Sequence, residues 1–415
     1  MKKIFTVLIS ILLLCGVCFC AAKNKVTPKD LFFDIERIKV DLSASSSMKE
    51  LYNPEPWEQL QADVMAGKAD RDECVRRIRR ILATYKITHL YIYDFEVNTN
   101  PKTRPLAFYC FSDGYYVTSA VKKYAKYLGW KLKGVGDYSV EEVLKKISEI
   151  QNYETPSGLR YAFEQFITYE AFEEIGIAEK GKIVFTLESP EGVVETIKTK
   201  AVNANKKRIM IEQENITAFN HSWDASKSYE IKTVPETKTI YIPFNKVVPR
   251  EDYSVKDWLN DIEKELKTGA YNTIVFDLRY NPGGMFMMLE NFMYNHKSEF
   301  EKYNMALVTT GRTYSAATEF MDQTLRLYPN VKIFGEETGQ AVFNYTGTYN
   351  NNDLKYLRIN FYWPNMVDDV PELYARAKDI HRGTFPDVEV GETFEGYMKG
   401  EDSIYKAIYE YYKEE

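Results

Sequence analysis

Thr273-Ile274-Val275-Phe276-Asp277-Leu278-Arg279 is an apolar run that stops at Tyr280-Asn281-Pro282-Gly283-Gly284. The pattern recurs twice downstream. Ala306-Leu307-Val308-Thr309-Thr310 ends in Gly311-Arg312-Thr313-Tyr314-Ser315-Ala316-Ala317-Thr318-Glu319-Phe320. Val331-Lys332-Ile333-Phe334 ends in Gly335-Glu336-Glu337-Thr338-Gly339-Gln340. Each run is short and apolar, as a buried strand is, and each is punctuated by glycine or small polar residues. Helix-like sequence follows the first two. The pattern is that of an α/β fold with its chemistry at the strand ends.

The residues at those ends suit acyl transfer. Ser315 lies between a strand and a predicted helix, so its hydroxyl falls where free backbone N–H groups and the positive end of the helix dipole favour an oxyanion. Gly283 and Gly284 have no side chains, so their N–H groups can approach a substrate carbonyl, and Ala316 adds another N–H beside the serine. Taken alone, the same residues also admit a plainer reading, with Ser315 as an N-cap and Pro282-Gly283-Gly284 as a turn.

Asp277-Leu278-Arg279-x-Asn281-Pro282-Gly283-Gly284, then Gly311-x-Thr313-x-Ser315-Ala316-Ala317-x-Glu319-Phe320, then Gly335-Glu336-x-Thr338-Gly339 stand in the order and at the separations of a known core. The stretch resembles the C-terminal processing peptidases, the tail-specific serine proteases, with their tricorn-like and retinoid-binding-protein-like branches. The resemblance is fullest over residues 272–347 and thinner over 380–409, where Phe385-Pro386-Asp387 and Glu401-Asp402-Ser403 match the closing elements and Asp402 is placed to cap the last helix. It implies a crotonase/ClpP-like spiral α/β core and Ser315 as the nucleophile of an acyl-enzyme.

The base is the point of departure. The Ser/Lys branch of that family carries a lysine where this chain has Gln340, and an amide is not basic. The resemblance therefore points to the tricorn-like Ser/His branch, in which a histidine in a short strand ahead of the core takes the serine proton. His89, in a strand expected over Tyr85–Asp94, holds that place, with Ile87-Thr88 where Asp-Gly is usual. An imidazole suits the task, and it also fits a half-buried strand position. Glu319, one helical turn beyond Ser315, is the candidate orienting acid or else a structural carboxylate. Gln340 is expected to aim its amide at the substrate or the nucleophile.

Composition narrows the function classes. The chain has 415 residues, a net charge of −6 and only 4 His, with no basic stripe to suggest nucleic acid. Beyond residue 22 there is no His-x-x-x-His or Cys-x-x-Cys, so neither a metal nor any other cofactor is expected. Met1-Lys2-Lys3, an apolar run from Ile4 to Leu14 and small residues ending at Ala21-Ala22 read as a secretory signal peptide. A lipoprotein anchored through Cys18 or Cys20 is the alternative. Either way the chain is exported, to a periplasmic, secreted or lipid-anchored location, and Cys74 and Cys110 are its remaining cysteines.

The expected organisation is a signal peptide (1–22), a helical N-terminal segment ending in the His89 strand (23–103), a small α+β insert (104–200), a linker (201–227) and a catalytic core (228–415). Within the first segment two helices are expected between Trp57 and Thr84. In the insert, Leu128 to Gly136 followed by a helical Val140–Ile150 resembles the PDZ modules of the family, with a plain spacer domain as the other reading. A hairpin is expected about Ser189-Pro190-Glu191-Gly192. Two functions stand at this point. One is a serine endopeptidase acting on unfolded or C-terminally exposed polypeptide; the other is a pseudoprotease that binds peptide or lipid at the envelope.

Overall fold

The structure, a computed structural model, describes residues 26–96, 100–213, 227–246, 248, 250–284, 287–343, 345–367 and 370–413. The expected leader and His221 lie outside these residues. Helix α1 (Pro28–Ala44) begins from a capping box, in which Thr27 and Asp30 each accept the other's backbone N–H. It buries Leu31, Ile35, Ile38 and Leu42. The sequence reading expects only a loosely patterned polar stretch here, because charged residues interrupt the apolar stripe. Helices α2 (Glu55–Met65) and α3 (Arg71–Ala83) are the two that periodicity predicts.

After α3 the chain turns rather than extends. The expected strand over 85–94 contracts to β1 (Tyr91–Asp94), because Lys86 takes a positive φ of 55° and Leu90 N–H closes a turn onto the Ile87 carbonyl. His89 thus sits in a turn just ahead of β1.

The insert is an antiparallel sheet built from β2 (Leu106–Phe111), β3 (Gly114–Val121), β4 (Lys131–Val135), β5 (Lys182–Glu188) and β6 (Val194–Lys200). Helices α4 (Val140–Ser148) and α5 (Pro156–Gln165) pack with it around Phe163, Phe185 and Ile147. The expected hairpin is β5–β6, closed at Glu188↔Val194. Part of the expected linker is structured: β7 (Arg208–Met210) pairs with β3, Arg208 opposite Val121. Residues 214–226 of that linker lie outside the described residues.

The core sheet runs β8 (Lys232–Val234), β9 (Thr239–Pro243), β10 (Thr273–Asp277), β11 (Asn304–Thr309), β12 (Lys332–Gly335) and, after the hairpin β13 (Tyr345–Leu354) and β14 (Ile359–Val367), β15 (Val388–Glu389). From β9 onward every pairing in it is parallel. Successive residues of β10 serve opposite faces. Ile274 and Phe276 pack on α6 (Val255–Thr268), α7 (Met287–Asn295) and α8 (Ala316–Leu327). Val275 packs on α9 (Ser403–Lys413).

The hairpin β13–β14 leaves this sheet. It forms a separate three-stranded sheet with β1, Tyr91 opposite Tyr362. Leu354, Leu357, Ile359, Phe361 and Trp363 complete the apolar cluster of α1–α3. Asp34 of α1 accepts the Tyr356 and Leu357 N–H groups at 2.6 and 2.8 Å. The N-terminal segment is thereby fastened to a late piece of the core, which fixes where His89 can go. Cys74 and Cys110 are free, buried and in different clusters.

Candidate active site

The loops after β10, β11 and β12 meet at the C-terminal edge of the sheet, where open α/β sheets place their ligands. Thr310 and Thr313 donate to the carbonyls of Arg279 and Leu278 at 2.7 and 2.9 Å, tying the second loop to the first. Asn281 Nδ2 donates to Phe244 O at 2.8 Å, and its Oδ1 accepts from Gly283 N–H at 2.9 Å. Sequence reasoning passed over Asn281, whose signal is its place in Asn-Pro-Gly-Gly.

Ser315 stands at the start of α8 with φ 55° and ψ −131°. An L-residue there is strained by roughly 1–3 kcal/mol, a cost that persists only where neighbours over-determine the conformation. Gln340 is one such neighbour. Its Oε1 accepts from Ser315 N–H and, at 3.1 Å, from Thr318 Oγ1. Of the two expected directions for the Gln340 amide, the structure shows the one toward the nucleophile: Gln340, 1% exposed, braces the strained serine through its carbonyl oxygen.

The Ser315 hydroxyl makes no capping bond to its own helix. It lies 3.1 Å from His89 Nε2. When the hydroxyl donates to Nε2, the neutral ring carries its proton on Nδ1. His89 is 6% exposed, and burial pushes its pKa down to about 4. The imidazole is therefore neutral, and able to accept a proton, throughout the physiological range.

The glycine pair is close but unequal. A Cβ on Gly283 would lie 2.6 Å from Ser315 Cβ and 3.2 Å from Ala316 N, so only glycine allows this approach. Gly283 N–H is already given to Asn281, and Ser315 N–H to Gln340. Ala316, the first residue of α8, has no acceptor within its own helix. Ala316 N–H is thus left beside the serine hydroxyl, and Gly283 contributes its lack of a side chain. Glu319 sits half-buried one turn along α8 from Ser315.

The carboxylate that does reach the histidine turn is Glu154, just ahead of α5. It accepts from Thr88 N–H at 3.0 Å, Thr88 Oγ1 at 2.6 Å and Ala341 N–H at 3.1 Å. Its neighbour Thr155 donates to the carbonyls of Thr338 and Gly339 at 3.0 and 3.1 Å. Arg312, three residues before Ser315, forms two hydrogen bonds to Glu164 of α5 at 2.6 and 3.0 Å and lies 3.8 Å over the Tyr161 ring. These contacts span 66 to 187 residues of sequence, and no local periodicity announces them.

Beneath the site, Arg279 is 1% exposed and pairs with Asp277, Glu392 and Asp402 at 2.8, 2.7 and 2.7 Å. Burial pushes Glu392 well above the usual carboxylate range, against the pull of Arg279. Asp402 also caps α9, accepting from Ile404 and Tyr405 N–H at 3.0 Å each, as the sequence suggests. Among the described residues no group of three His, Cys, Asp or Glu side chains is arranged to hold a metal.

No family model and no curated protein matches the sequence. Solved structures do. Mature CPAF, from a Chlamydia tail-specific-protease-like serine protease, aligns with a TM-score of 0.66 at 11% identity over 92% of this chain and 96% of that one. Mature CPAF complexed with lactacystin aligns with a TM-score of 0.65 at 12% identity over 93% and 98%. The chain shares the mixed α/β fold of CPAF.

Proposed function

We propose that this chain is an exported serine endopeptidase of the Ser/His kind, acting on unfolded or C-terminally exposed polypeptide. The observation that carries the reading is the 3.1 Å approach of the His89 imidazole to a strained Ser315 whose hydroxyl is not used as a helix cap. In this reading Ser315 Oγ attacks the scissile carbonyl carbon as His89 Nε2 takes its proton. The oxyanion forms against the N–H groups of Ala316 and Gly284. Collapse expels the amine, which receives the proton from His89. Water, deprotonated by the same ring, then hydrolyses the ester. The core is of the crotonase type, and the insert is a PDZ-like module that takes a substrate tail as an added strand.

A base held near pKa 4 has a direct consequence. The ring must be unprotonated to act, so the loss that belongs to His89 itself, with unit slope, is expected only as the pH drops through about 4. A rate profile from pH 3.5 to 9, kept within the range of folded protein, checks this.

The reading itself is tested by labelling mature protein with a fluorophosphonate probe and locating the adduct by peptide mapping. Covalent modification at Ser315, lost in Ser315→Ala and His89→Ala, is the expected result. Folded wild-type protein that takes no label across that pH range would sink it and leave peptide or lipid binding as the function to pursue.

A further inference from the structure

Glu154 is placed between the two halves of the site. One carboxylate oxygen receives both donors of Thr88, the residue before His89. The other receives the N–H of Ala341, the residue after Gln340, which in turn braces Ser315. Around it the same segment adds further clasps: Asn152 Nδ2 donates to Leu90 O, and Thr155 Oγ1 donates to Thr338 and Gly339. Small residues allow the close fit. A Cβ on Gly311 would run into the backbone of Ser157, and one on Gly158 into the Tyr314 hydroxyl.

We propose that Glu154, supplied by the insert rather than by the core, is the positioning residue that holds the base and the nucleophile in register. The proposal rests on the serine-peptidase reading for its catalytic meaning. It makes the insert part of the catalytic apparatus, since loss of this contact frees the histidine turn and the Gln340 loop together.

All three partners of Glu154 are donors, so its ionised form fits and a protonated oxygen would oppose one of them. Burial pushes Glu154 up to about 7, with the bonds from Thr88 and Ala341 pulling the other way. The titratable and charged groups on the surrounding elements, Tyr314 apart, are engaged elsewhere. Lys86 lies over the Tyr153 ring, and His89 meets Ser315. Glu336 is held by Tyr161 and Arg160, and Glu337 by Arg382. Arg312 is paired with Glu164, and Tyr314 is raised by its own burial and by the facing Glu154 charge. The sign follows: the latch is closed above about pH 7 and loosens as pH falls through it.

The test is the fluorophosphonate labelling rate against pH for wild type, Glu154→Gln and Glu154→Asp, with amide hydrogen exchange at Thr88 and Ala341 measured on the same samples. In wild type the rate is expected to fall about 10-fold through an inflection near 7, above the separate loss near 4 that belongs to His89. Glu154→Gln is expected to sit at the low rate across the range, without the upper inflection, and Glu154→Asp to recover part of it. Exchange at both amides is expected to be about 10-fold faster in Glu154→Gln. A Glu154→Gln protein that keeps the wild-type rate and inflection, or loses rate but keeps the inflection, overturns the proposal. Should Glu154→Gln not fold, wild-type protection factors at Thr88 and Ala341 that stay constant from pH 8 to 6 overturn it equally. If wild type takes no label yet the exchange changes appear, the peptidase reading fails and the latch stands.

Discussion

Ser315→Ala is expected to lower kcat on an unfolded polypeptide substrate by about 10⁴- to 10⁶-fold, and His89→Ala by nearly as much. The reason lies in how the two groups are joined. The Ser315 hydroxyl approaches His89 at 3.1 Å across 226 residues of sequence, so neither has a substitute nearby. Groups that act as one unit lose their effect together, and the double variant is expected to be little worse than either single one. KM should change far less than kcat, because peptide binding does not use the hydroxyl. Residual turnover above the uncatalysed rate would come from the Ala316 and Gly284 N–H groups. Steady-state kinetics on the three proteins checks this. Three independent, additive losses would refute a coupled pair.

The second large effect concerns stability. Arg279→Ala is expected to destabilise the core by about 3–5 kcal/mol, the usual result of leaving buried charge uncompensated. The guanidinium stands among Asp277, Glu392 and Asp402 at 2.7–2.8 Å, with Arg279 and Asp402 each about as buried as a side chain can be. Removing it leaves three carboxylates facing one another away from water. Arg279→Lys keeps a charge but not the planar fork that serves several acceptors at once, and should fall between the two. The penalty should shrink at lower pH. Glu392 is already displaced upward by burial, so it takes up a proton readily once its partner is gone. Urea denaturation at pH 8 and pH 5.5 provides the comparison. An Arg279→Ala protein as stable as wild type at pH 8 would contradict the argument.

The parts of this molecule that were legible in the sequence are those governed by local pattern. Strands such as Thr273–Asp277 announce themselves by continuous apolarity, and their ends by glycine and small polar residues. Ser315 and the glycine pair could be placed for the same reason. What failed to show were properties that arise between distant segments or in the backbone itself. The positive φ of Ser315 leaves no trace in residue types, so the sequence leaves open whether the Gln340 amide faces substrate or nucleophile and does not show it as a backbone brace. Helical spacing makes Glu319 visible from the sequence, whereas Glu154, which reaches Thr88 from 66 residues away, leaves no such mark. His89 reads as a strand residue because the stretch around it is rich in β-branched and aromatic residues. The turn at Lys86 overrides that pattern. Helix α1 was hidden by charges scattered among its buried positions, although Thr27 and Asp30 form a capping box that is readable in retrospect.

The sheet that joins β1 to β14 carries one more consequence. Tyr91 pairs with Tyr362, so the turn bearing His89 gains its supporting strand only after residue 362 has been made. A ribosome delivers Ser315 and the glycine turn well before that. Through most of its synthesis the growing chain holds nucleophile and base on separate, unjoined pieces. In the serine-peptidase reading, the order in which the chain emerges keeps the two groups from being assembled until the hairpin that carries Tyr362 is complete.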